Sequence, residues 1–140
     1  MSTITELWSA GTAPGRDGLY RADGSARAVE VDGPELTRFA LAAPLDLDAS
    51  LADDPDQVTD IDVGAEVELP DGSGYVCCGD GAHGSEGFFA RLDPDRNLVW
   101  VVSLRNSNPF VRVGVAGSTA TFVNNLDKAV TIELTSPEFL

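Results

Sequence analysis

The second half of this chain has a rhythm that few folds accept: from Ala65 onward, short β-patterned runs alternate with turn residues. AEVEL sets Ala65, Val67 and Leu69 against Glu66 and Glu68, the period of two of a strand with one buried face. PDGSG turns and YVCC returns. FFARL, DPDRN and LVWVVSL repeat the pattern, as do FVRVGV, TATFV and AVTIEL beyond RNSNP, AGS and NNLDK. LVWVVSL is apolar on both faces, which predicts a central strand covered on both sides. Upstream, Asp23-Gly24-Ser25 separates GLYRA from ARAVEV and marks another hairpin, because glycine takes the positive φ that tight turns demand. About eight strands result, at the spacing of sandwiches and barrels.

The fold these signals predict is one mainly β domain over residues 1–140. It is an antiparallel meander forming a sandwich or partly closed barrel, with at most one short helix. That helix is expected over 34–43, where Pro34 suits a first turn and Leu36, Phe39, Ala40 and Ala43 recur at helical spacing. The same residues also alternate as a strand. The acidic segment at about 46–64 is weakly patterned and reads as a loop with room for one helical turn. GFFARLDPDRNLVWVV resembles a single hairpin from a β-propeller blade, a likeness confined to that hairpin and without implication for function.

Charge narrows the partners. The formal net charge is −14, and residues 46–87 hold twelve acidic residues with no Lys or Arg. Such a surface repels phosphate backbones and anionic membranes, so neither nucleic acid nor membrane is an expected partner. It suits a basic protein, whose encounter it would speed. Asp53, Asp54, Asp56, Asp60 and Asp62 are the expected steering charges. The N-terminus lacks the basic and apolar regions of a signal peptide, no apolar run approaches membrane-spanning length, and two cysteines make no disulfide framework. A cytoplasmic location is expected.

CCGDGAHGSEG, residues 77–87, gathers both cysteines and the only histidine. As a metal centre it would use Cys77, Cys78 and His83 with Asp80 or Glu86, but adjacent strand residues point to opposite faces, and no Cys-x-x-Cys or second His is present. A catalytic Cys78–His83 pair lacks an orienting third group. Neither a metal nor a cofactor is expected. LDPDRNL lacks the glycine and glutamate of a calcium loop and reads as a turn, with Pro94 presetting φ and Asn97 tolerating the left-handed conformation.

In a meander, loops alternate between the two ends of the sheet. The turns at 71–74, 93–97 and 116–118 fall at one end. The longer connections at 79–87, 105–109 and 124–128 fall at the other. That second end is the expected binding surface, with Asp80, His83, Glu86, Arg105, Asn106, Asn108, Asn124, Asn125 and Asp127 as its residues. The expected function is a non-enzymatic acidic protein-binding module, of inhibitor or immunity type, for a basic partner. A small-ligand or carbohydrate-binding β domain using the same loop end is the alternative. A metal-dependent protein centred on Cys77, Cys78 and His83 is the third reading.

Overall fold

A computed structural model describes residues 2–135. Its elements run, in chain order, α1 (Thr3–Ser9), β1 (Thr12–Pro14), β2 (Gly18–Arg21), β3 (Ala26–Val31), a 3-10 turn (Gly33–Glu35), β4 (Phe39–Pro44) and α2 (Leu47–Asp53), then β5 (Val58–Glu68), β6 (Tyr75–Gly81), β7 (Gly87–Leu92), β8 (Leu98–Leu104), β9 (Phe110–Ala116), β10 (Thr119–Asn124) and β11 (Ala129–Glu133). The eight-stranded sheet has the order β1-β5-β6-β7-β8-β2-β3-β4, and a three-stranded sheet has the order β11-β10-β9. Every pairing is antiparallel, and the large sheet is not closed.

The expected mainly β, antiparallel architecture is therefore present. β5 to β8 and β9 to β11 are the two meanders, and the chain changes sheet between β8 and β9. The doubly apolar run LVWVVSL is β8, an interior strand between β7 and β2. Trp100, Val102 and Leu104 face the small sheet, while Val101 faces the helices.

Two cores follow from this layering. The first lies between the sheets and centres on Phe89. That ring stacks on Phe122 at 4.4 Å and meets Phe110 edge-on at 5.3 Å, with Trp100 at 6.2 Å and Phe39 at 6.1 Å. Such pairs each contribute about 0.5–1.5 kcal/mol beyond burial. The second core lies on the other face, where Ile4, Leu7 and Trp8 of α1 and Leu47 and Leu51 of α2 cover Tyr20, Cys77, Phe88, Ala90 and Val101.

Helix content differs from expectation: the described residues hold two short α-helices, and neither spans 34–43. Asp32 takes the Thr37 hydroxyl and the Arg38 N–H (3.0 Å), and Leu36 adopts a left-handed φ of 57°. The chain thus turns at once and runs back along β3 as β4, with Phe39 and Leu41 half-buried against the core. The acidic segment is likewise not a loop. Asp46 caps α2 by accepting from Ala49 N–H at 3.0 Å, Leu47 and Leu51 lie one turn apart on the core side, and β5 begins at Val58. The signal for α1 was also present in the sequence: Ser2 is its N-cap, and Ile4, Leu7 and Trp8 recur at helical spacing.

Candidate functional site

The connection expected over 79–87 is shorter and more regular than its glycines suggest. β6 continues to Gly81, so only residues 82–86 form the turn to β7. Gly79 pairs with Val63 on one side and Phe88 on the other. A Cβ at Gly79 would lie 1.9 Å from the Asp62 carbonyl oxygen, so glycine is there for close backbone approach.

Glu86 closes the turn. It is buried, and its Oε1 accepts from the Thr59 hydroxyl at 2.7 Å and from His83 N–H at 3.0 Å. Thr59 Oγ1 in turn accepts from Ala82 N–H at 3.0 Å. Sequence reasoning missed Thr59; a buried threonine in an acidic strand has no signal of its own beyond its alternation with Asp60.

The three longer connections do meet at one end. Asn108 N–H donates to Ser85 O at 2.9 Å, and Asn125 N–H donates to Pro109 O at 3.0 Å. Their residues do not play equal parts. Asn124 is fully buried, donates to Pro34 O (2.8 Å) and Ser107 O (2.9 Å), and accepts from Leu126 and Lys128 N–H. It has no capacity left for a ligand and acts as a clamp between loops. Asp127 pairs with Arg112 at 3.0 Å, and Asn108 is half-buried with φ of 60°. His83, Arg105, Asn106 and Asn125 are exposed. Arg105 is fixed through its backbone, whose N–H donates to Asp17 Oδ1 at 2.7 Å.

The structure brings part of the acidic group to this end. Asp54, at the end of α2, and Asp56 line a cavity of about 260 Å³ together with His83, Glu86 and Arg105. Gly15, Gln57, Val58 and Thr59 complete it. The remaining steering acids Asp53, Asp60 and Asp62 are exposed but do not line this cavity. Asp80 sits half-buried on β6, opposite Asp62.

The cysteines are placed as their adjacency predicts. Cys77 belongs to the helix-side core and Cys78 to the core between the sheets. Burial pushes both thiols up to about 12. Such thiols are poor metal ligands and poor nucleophiles at neutral pH. Among the described residues, no group of three or more His, Cys, Asp and Glu side chains converges as metal ligands would.

The DPDRN turn matches its sequence reading in all but one residue. Asp93 Oδ1 accepts from Asp95 and Asn97 N–H, and hydrogen bonding from Asn97 holds its carboxyl below the usual range. The left-handed residue is Arg96 (φ 67°), not Asn97. Arg96 is held there by Glu66 at 2.8 Å and lies 4.3 Å over the Tyr75 ring. No protein-family model matches this chain, and neither does any curated protein or solved structure.

Proposed function

We propose that this chain is a non-enzymatic binding module that receives a basic partner protein on its acidic loop end. The observation that carries the reading is the cavity at the end of α2, where acids of the charged segment, Asp54 and Asp56, join His83, Glu86 and Arg105. Its volume, about 260 Å³, is below the common range of small-molecule pockets, and its lining is polar. Those properties suit one side chain of a protein surface better than a free metabolite. An inhibitor or immunity-type role, in which the module neutralises a basic effector, is the form of this reading that the net charge of −14 supports. Two buried free thiols fit a reducing, cytoplasmic setting.

The test is capture of partners on immobilised protein, followed by association kinetics. Exposed charges are screened within about 10 Å at 0.1 M salt, so salt should slow the on-rate and leave the off-rate nearly constant. Asp54→Asn with Asp56→Asn should reproduce the effect of salt, and Arg105→Ala should raise the off-rate. An acidic partner whose on-rate ignores salt would refute the proposal.

A further inference from the structure

The β5 strand has two different outer edges. Over Val58–Asp60 it is paired with β1, and Ile61 N–H still reaches Gly11 O at 3.0 Å. From Asp62 to Glu68 its only strand partner among the described residues is β6. β9, the last strand of the small sheet, pairs among the described residues only with β10. The two strands come close to each other at Gly64: a Cβ on Gly64 of β5 would sit 3.9 Å from the Phe110 carbonyl oxygen of β9.

Both strands are bulged at that point. The β5–β6 register skips Gly64, and the β9–β10 register skips Val111. Bulges of this kind re-aim side chains at sheet edges. Here they leave Val63 54% and Val111 43% exposed, two of the few large apolar side chains facing water. The valines border a cavity of about 270 Å³ with Asp62 and Asp80 at its rim. The turn carrying Leu126, itself 49% exposed, is tied to the same place by the hydrogen bond from Asn125 N–H to Pro109 O.

Charge decides what can cover this seam. A second copy of a chain with net charge −14 would bring matching carboxylates against Asp62, Asp80 and Glu68, and like charges across an interface are costly. A basic strand meets them with opposite charge. We propose that the β5–β9 seam, centred on Val63 and Val111, docks an extended basic segment of the partner, which pairs with the open backbone edge at Asp62–Glu68. Its apolar residues cover the two valines and its Lys or Arg residues reach Asp62 and Asp80, as in other cases of strand addition. The inference rests on the basic-partner reading above and adds to it a site and a backbone conformation.

A direct probe is the capped peptide Lys-Val-Lys-Val-Lys-Val-Lys, titrated into the full chain at low salt and followed by backbone amide NMR. Shifts along Asp62–Glu68 and Phe110–Arg112 are expected. Val63→Lys should weaken the apparent affinity about tenfold or more while leaving the thermal midpoint in place. A peptide of the same charge with Ser in place of Val should bind at least about tenfold more weakly. Shifts confined to Asp54, Asp56 and Arg105 would overturn the docking site and leave the basic-partner reading standing. Absence of any binding would overturn the docking site, and the kinetics of Asp54→Asn with Asp56→Asn then judge the reading alone. Sedimentation showing a dimer that Val63→Lys dissolves would assign the seam to a second copy and overturn the proposal.

Discussion

Phe89 and Trp100 are where single side chains matter most for stability. Trp100 is 5% exposed on an interior strand and touches the Phe89 ring edge-on. Trp100→Ala should cost about 3–5 kcal/mol, read as a lowered urea midpoint, and a midpoint near that of the parent would show that β8 does not anchor the core. The cysteines give a pH-dependent counterpart. Burial raises both folded thiols to about 12 from an ordinary 9.0, so the native state holds them neutral while the unfolded chain ionises. Their contribution is complete below the unfolded value and is lost as pH rises from about 9 toward 12. Chemical unfolding at pH 8, 9.5 and 11 should show that decline, on the order of 1.4 kcal/mol for each pH unit and each thiol. Cys77→Ala with Cys78→Ala should reduce it, leaving at the highest pH the part that Tyr20 contributes, because burial raises its hydroxyl above the ordinary 10.0 as well. This much was legible in the sequence, because opposite faces follow from adjacency in any strand. The burial of Glu86 and Asn124 was not legible: both read as surface polar residues until Thr59, Ser107 and Pro34 arrive from distant positions to bond them.

Single elements show why β signals survived and helical ones did not. Alternation is a local property, so β6 to β11 and the Ala65–Glu68 end of β5 were readable from their own residues, whereas Val58–Gly64 of β5 read as loop. α1 and α2 are each seven residues long, too short to be stable alone, and exist because a sheet lies beneath them. β4 illustrates the same conflict, since its residues satisfy both periods and only the neighbouring β3 decides between them. The cap of α2 therefore carries more weight than its propensity. Asp46→Ala should destabilise the protein by about 1 kcal/mol. Since α2 ends at the cavity, loosening it should also slow association with the basic partner proposed above. A variant equal to the parent in both thermal midpoint and on-rate would mean that Ala49 N–H is served equally well by water.

Across the molecule, charge works against compaction. The ion pairs Arg96–Glu66, Arg112–Asp127 and Lys128–Glu35 are exposed and offset little of the −14. Self-repulsion at that net charge should be relieved by salt, so the calorimetric midpoint should rise between about 0.02 and 0.3 M NaCl. A falling midpoint would show that the ion pairs outweigh the repulsion. The strand order holds a further consequence, for the timing of synthesis. β2 is completed by β8, with Gly18 opposite Ser103, so the hairpin made first finds its neighbour only after most of the chain has emerged. Until then a nascent chain carries β2 with a bare edge, and contacts this distant in sequence form slowly. A chain stopped at Asn97, one residue short of β8, should fail to give a cooperative unfolding transition, and its N-terminal half is the segment for which a ribosome-bound chaperone has the most to do.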